Sequence, residues 1–459
     1  MQVVDNRQNR VSKVFLILIT IFGSITLFVQ PLFSAPDEGT HFGIAYSIFH
    51  DGKTNNEFKQ YRLPVDVASY RDGSFFSKYI VEKGDFKENR LALNLGLRKI
   101  QYLPQAVGML IGEMIYPSYG VIMFFGRLLN LILYIVGMYF AIKKAKIAQW
   151  VMAIVALFPI SIQQAASLSY DPFFFVAIFL AFSLITNLSI KKEPLTVKWY
   201  AYIVGSVMML FLAKSSALAM GLYFMTLPMV LFGNNYFTQI IDKIWKLCDK
   251  YKKTVIMLGI LVFLLFLKYE FRNYGGLLKG SQILLNTFTR PDIQQSLDPV
   301  LTSGVIGNFG WLNYRLPEWL VIIDFIFLTI MAISEKHVEV EKRMVVTGGI
   351  VYFLNIVLVS LIMYFEWTIV TLKLVGSLTV EGNQGRYYTP FLICLAPIGL
   401  VLQKYIKIEI SESNKKIMYI GFSVFNFIYF IVLTLLYYYT SDAGINFLPR
   451  IGNLIKGIN

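Results

Sequence analysis

Charged side chains make up only 15% of this 459-residue sequence, against roughly 25% in soluble globular proteins. Apolar runs close to the roughly twenty residues that cross a bilayer recur from end to end, so no large soluble domain can be accommodated. Cysteine is nearly missing as well. Cys248 lies in a basic polar stretch and Cys394 inside an apolar run, so the two sit at different depths and imply no disulfide framework. There is no Walker-type phosphate loop, dinucleotide fingerprint, HExxH helix or GxSxG elbow, which argues against ATP-driven work and against nucleotide-sugar chemistry on a soluble fold. The formal charge of +14 would suit a nucleic-acid partner, but Lys and Arg are dispersed in short clusters between apolar spans. Membrane topology accounts for that dispersal, and no nucleic acid is expected.

What the sequence has in quantity is apolar surface, with 56% hydrophobic and 16% aromatic residues. We expect an all-α, polytopic membrane protein forming a single domain over residues 1–459. Spans are expected at 14–33, 119–141, 148–166, 172–190, 199–213, 216–233, 254–271, 317–334, 345–365, 387–403 and 416–439, about eleven helices. Arg7, Arg10 and Lys13 precede the first, and Phe33-Ser34-Ala35 loosely resembles a cleavage site. That run is longer than a signal-peptide core of about 7–15 residues, so it is read as an uncleaved first transmembrane helix. With a cytoplasmic N-terminus, the short inner loops carry Lys143, Lys144 and Lys146, then Lys191, Lys192 and Lys198, then Lys243 to Lys253, then Lys336, Lys342 and Arg343, then Lys404 to Lys416. Positive charge inside is the expected bias. The outer face of the membrane then receives three long segments, 34–118, 272–316 and 366–386.

The stretch Ser34-Ala35-Pro36-Asp37-Glu38-Gly39-Thr40-His41-Phe42 sets two carboxylates and one of three histidines where the first span leaves the membrane. Pro36 suits a sharp exit, Asp37 can cap a following helix, and Phe42, Ala45, Ile48 and Phe49 fall at helical spacing along the membrane surface until Asp51-Gly52. On such a helix Asp37, Glu38 and His41 share a face. They can supply a general base oriented by His41, or gather around a divalent cation such as Mg or Mn; capping and interfacial anchoring are the bland alternatives. Asp171 and Lys214 fall at outer ends of spans, Arg386 just before one, and Arg127 inside one. Charge at membrane depth faces a cavity or another charge, so Arg127 needs a buried partner and the other three point to a shared outer site. A Lys and an Arg at its mouth suit phosphate or pyrophosphate, and Tyr387 and Tyr388 add rings that stack on a sugar or anchor the interface.

Pro36-Asp37-Glu38 with His41, Tyr102-Leu103-Pro104-Gln105, Ser169-Tyr170-Asp171, Phe309-Gly310-Trp311-Leu312 with Leu316-Pro317 and Trp319, and Gln384-Gly385-Arg386-Tyr387 with Pro390 occur in that order. Together they resemble a bacterial membrane family long catalogued as of unknown function and grouped with the GT-C glycosyltransferases. The resemblance implies an inverting transferase that uses a polyprenyl-phosphate-linked sugar donor at the outer membrane face and a surface glycan or lipid-linked acceptor. It places the catalytic carboxylate at Asp37 with Glu38 as nearest substitute, a second acidic site at Asp171, and phosphate-holding residues at Lys214 and Arg386. His41, Arg127, Gln384, Tyr387 and Tyr388 are expected in supporting or ligand-binding roles. Acceptor recognition falls to the long outer loops, since the large C-terminal domain of some branches is missing. A polymerase or ligase of lipid-linked glycans would share the basic pocket without using a monosaccharide-phosphate lipid. A glycolipid flippase or transporter would instead place polar residues along the midplane and on both sides.

Overall fold

The computed structural model describes residues 2–51, 70, 73–84, 90–290, 298–336 and 338–440. Among them, six helices are long and apolar enough to cross a membrane: Val11–Val29, Tyr119–Lys144, Asp171–Ser189, Lys252–Asn273, Lys342–Thr371 and Glu412–Tyr439. Their ends carry ordinary local signals. The Ser118 hydroxyl accepts from Val121 N, Lys143 and Lys144 lie in the last turn of the same helix, and Pro172 opens the helix at Asp171.

The other five expected spans take shorter or broken forms. Val197–Leu212 and Glu318–Ile333 are single helices of 16 residues each. The 148–166 run divides into Gln149–Ala156 and Pro159–Ala165, both within the bundle core. The runs at 216–233 and 387–403 dissolve into short 3-10 and α turns around Pro228, Pro390 and Pro397. Each proline removes a backbone donor, and such breaks are tolerated at membrane depth only where neighbouring protein satisfies the freed carbonyls. The Tyr223 hydroxyl, which donates to Cys394 O at 2.9 Å, is one such compensation.

The described part of the segment after the first span folds back on the bundle. The Leu103–Ile115 helix runs antiparallel to the Tyr119–Lys144 helix, with Gly108 against the Phe125 carbonyl and Gly112 against that of Val121. The Glu38–Tyr46 helix packs beneath it. Phe42, Ala45 and Ile48 are fully buried with Met109 and Ile122, so these residues line a protein core and not the lipid surface expected of them. That helix stops at Tyr46, short of Asp51; Gly52 and the segments 52–69, 71–72, 85–89 and 291–297 lie outside the described residues. Among the described residues, strand content is confined to two small antiparallel ladders, His50–Asp51 with Arg90–Leu91 and Asn308–Phe309 with Tyr314–Arg315.

A methyl group at Gly108 would stand 2.2 Å from the Phe125 carbonyl oxygen, while one at Gly221 meets nothing within 4 Å. Gly108→Ala is expected to cost about 1–3 kcal/mol by forcing two helix backbones apart. Thermal unfolding of the purified protein, with Gly221→Ala as control, checks this, and equal stability of the two variants would refute the close approach.

Candidate functional site

The chain leaves the first span through Pro31 and Pro36, and there its two adjacent carboxylates part company. Glu38, wholly buried, receives Arg127 Nε at 2.8 Å on Oε1 and Arg127 Nη2 at 2.7 Å on Oε2. The guanidinium also donates to the carbonyls of Gln30 and Pro31 at 2.9 and 2.8 Å, and Leu168 N donates to Glu38 Oε1 at 3.0 Å. Arg127 thus has the buried acidic partner that its depth demanded, and both oxygens of Glu38 are committed to structure. The expectation that Glu38 stands in for Asp37 as a base is corrected by that geometry.

Asp37 occupies the position before the Glu38–Tyr46 helix but makes no side-chain cap. Its backbone is left-handed, at φ 61°, a conformation Asp tolerates better than most residues. That turn sends its carboxylate to Arg386, whose Nη2 lies 3.0 Å from Oδ2. Arg386 Nη1 donates to Pro36 O at 3.3 Å and to Gln164 Oε1 at 3.5 Å, and Arg386 Nε stands 3.4 Å from Asp171 Oδ2, a contact of charges without hydrogen-bond alignment. Asp171 Oδ1 accepts from Lys214 Nζ at 2.7 Å. Four charged groups from four distant parts of the chain therefore form one alternating row, Asp37, Arg386, Asp171 and Lys214. Along it the Asp37 side chain is 33% exposed and that of Asp171 only 1%. Asp37 is the reachable carboxylate; Asp171 is the buried anion that holds both cations.

Lys214 Nζ also lies over three rings, 4.2 Å from the centre of Tyr387, 4.7 Å from Tyr170 and 4.8 Å from Phe174. Beside it opens a cavity of about 290 Å³ whose wall is polar at Gln101, Lys214, Ser215, Ser216 and Tyr387 and apolar at Val359, Ile362 and Met363. Such a lining fits a molecule with a polar head and an apolar tail. Asp37 does not line this cavity and joins it through Arg386 and Asp171. Gln384 Oε1 is buried nearby without a hydrogen-bond partner among the described residues. Tyr388 is fully buried and donates to Asn383 Oδ1 at 3.1 Å, so its ring serves the core and is not presented to a sugar or to the interface.

His41 is held by aromatic neighbours and not by a hydrogen bond to Asp37 or Glu38. Its Nδ1 lies 2.9 Å from the Tyr102 hydroxyl, and Tyr170 meets its ring edge-on at 5.1 Å. Burial, reinforced by the Arg386 charge, lowers its pKa to about 4, while burial pushes that of Tyr102 well above the usual phenol range. His41 and Tyr102 therefore meet as neutral groups joined by one hydrogen bond. Asp37, Glu38 and His41 do not form the cation cage offered for them: Glu38 is filled by Arg127, and no cluster of three His, Cys, Asp or Glu side chains suited to a metal occurs among the described residues. Tyr102, Tyr170 and Gln101 were not assigned site roles from the sequence, although Tyr102 and Tyr170 lie within two of the quoted motifs. The signal was present in the motifs and lacked only a partner.

Residues 20–395 match the family of predicted membrane proteins catalogued as DUF2142, and the chain belongs to that family. No curated protein and no solved structure matches it.

Glu38→Gln leaves a buried guanidinium without a counter-charge and is expected to destabilise the fold by about 3–5 kcal/mol; an unfolding midpoint equal to wild type would refute the structural role. His41 gives a pH signature. Between about 6.5 and about 4 the unfolded chain takes up a proton that the folded chain refuses. Stability therefore falls with acidification across that window, at up to about 1.4 kcal/mol per unit. Melting curves of His41→Gln should be flatter than wild type over that window and parallel to it above pH 7.

Proposed function

We propose that this protein is a GT-C-type glycosyltransferase of the bacterial plasma membrane. In this reading the chain crosses the bilayer about eleven times, the broken segments completing the bundle, with a cytoplasmic N-terminus and an extracytoplasmic site. The donor is a sugar linked to polyprenyl phosphate and the acceptor a hydroxyl of a surface glycan or of another lipid-linked glycan. Asp37 removes the acceptor proton, the acceptor oxygen attacks the anomeric carbon, and the anomeric carbon–oxygen bond breaks so that polyprenyl phosphate leaves with the electron pair. Lys214 and Arg386 stabilise the departing charge, and Tyr387 flanks it.

The observation that carries this reading is the row of Asp37, Arg386, Asp171 and Lys214 at the exit of the first span, ending on a cavity with one polar and one apolar wall. A base and an anion-holding cation pair are the two elements the transfer needs, and the apolar wall suits a lipid tail. Glu38 and Asp171 are occupied by cations and buried, which leaves Asp37 as the carboxylate able to receive a proton.

The test is the surface-glycan composition of a deletion strain complemented with wild type or with Asp37→Asn at matched membrane expression. Loss of a general base is expected to slow transfer by about 10²–10⁴-fold, so one side-chain sugar should disappear with Asp37→Asn alone. A fully decorated glycan from that strain would refute the catalytic role, and loss of the whole polymer would point to a polymerase.

A further inference from the structure

Far from this site, residues Tyr236–Lys250 form a 15-residue helix whose apolar side chains are left largely uncovered. Its start is fixed by a reciprocal cap: Thr238 N donates to Asn235 Oδ1 at 3.0 Å, and Asn235 N donates to Thr238 Oγ1 at 3.1 Å. At about 100° per residue, Tyr236, Ile240, Ile244 and Leu247 fall on one arc. All four are exposed, by 80, 37, 53 and 58% respectively. The neighbouring arc, Ile241, Trp245 and Cys248, is half-buried toward the protein. Lys243 and Lys250 border the exposed apolar arc, whereas Asp242 and Asp249 lie across the helix from it. Charge is thus sorted by sign around the axis, cations beside the greasy face and anions away from it.

The helix's place in the fold says what covers that face. Leu195 N donates to Leu231 O at 2.7 Å, which ties the approach to the helix to the end of the Asp171–Ser189 span remote from Asp171. Tyr251 then leads directly into Lys252–Asn273, a span whose apolar window is only 11% buried, with Ile256, Met257 and Val262 more than half exposed. Arg343, in the first turn of Lys342–Thr371, lies over the Trp245 ring at 5.6 Å. The helix is therefore bracketed by the starts of two spans, one of which is itself largely uncovered.

We infer that Tyr236–Lys250 lies in the plane of the membrane surface opposite the Asp37 site and binds anionic lipid headgroups there. Tyr236, Ile240, Ile244 and Leu247 enter the acyl boundary. Lys243, Lys250, Lys252 and Lys253 meet the headgroups, while Lys246 is held by Asp242 at 2.6 Å one turn earlier.

The test uses the full-length protein carrying Cys248→Ser and one new cysteine at an exposed position, Gln239→Cys, Ile244→Cys, Lys246→Cys or Leu247→Cys, each labelled with an environment-sensitive fluorophore. After reconstitution into phosphatidylcholine vesicles with and without phosphatidylglycerol, quenching by spin-labelled lipid should be at least about threefold stronger at 244 and 247 than at 239 and 246. It should also rise with phosphatidylglycerol, and replacing the four headgroup lysines by Gln should abolish that rise. Equal quenching at all four positions would overturn the inference. So would a label at 244 that is shielded from both lipid and aqueous quenchers, since protein would then cover the face.

Discussion

Arg127 and Glu38 neutralise each other in the least hydrated part of the site, and most of the surrounding geometry follows from that pair. Taking both ions out of water is expensive, so the pair depends on further hydrogen bonds: the guanidinium holds the carbonyls of Gln30 and Pro31, and the carboxylate receives Leu168 N. Those bonds tie the end of the first span to the second and to the turn before Asp171. The chain is thereby brought to Pro36, and the left-handed residue that follows aims its carboxylate at Arg386. A structural salt bridge thus determines where the exposed acid points.

This division of labour explains why two adjacent acids occur together at a membrane exit. One is spent on architecture and the other is left accessible. Their separation in role arises from backbone conformation, since Glu38 opens a helix whose axis turns it inward while Asp37 stands one residue earlier in the left-handed region. The same economy recurs with Asp171, whose two oxygens face two different cations. Without it, Lys214 and Arg386 would repel each other across a low-dielectric space.

Much of this was legible in the sequence in kind but not in pairing. That Asp37, Asp171, Lys214 and Arg386 share one site was expected from their places near the ends of apolar runs, because charges at membrane depth must find company. The need of Arg127 for an acid was equally plain; that Glu38 supplied it was hidden, because residues 89 apart in sequence are joined only by packing. The motifs quoted for the family resemblance converge on the same exit: His41 on Tyr102, Gln105 on the carbonyls of Leu168 and Ser169, Trp311 on Phe33 O, and Arg386 on Pro36 O. Helix breaks at 157–158 and through 216–233 were not legible from hydropathy, since apolar periodicity persists across a proline kink that buried neighbours stabilise. The amphipathic Tyr236–Lys250 helix was read only as a cluster of inner lysines, its apolar arc being too short to register as a span.

The charge carried by the row bears on how the proposed transfer would proceed. Asp37, Asp171, Lys214 and Arg386 together sum to zero, so a sugar–phosphodiester donor brings the site to one negative charge. When Asp37 accepts the proton of the acceptor hydroxyl it becomes neutral, and the departing polyprenyl phosphate gains the charge that Asp37 lost. The total is unchanged, and one negative charge has moved along the row from the carboxylate to the phosphate. Arg386 stands between the two acids of the row, 3.0 Å from Asp37 and 3.4 Å from Asp171. In the proposed transfer, protonation of Asp37 would weaken the first of those contacts as the phosphate became more anionic, freeing a planar, two-pronged donor for it. Asp171, buried and paired with Lys214, keeps its charge throughout and prevents the guanidinium from leaving the row. In the proposed transfer the base and the anion-binding group would be coupled through one arginine, so catalysis would depend on Arg386 remaining within reach of both.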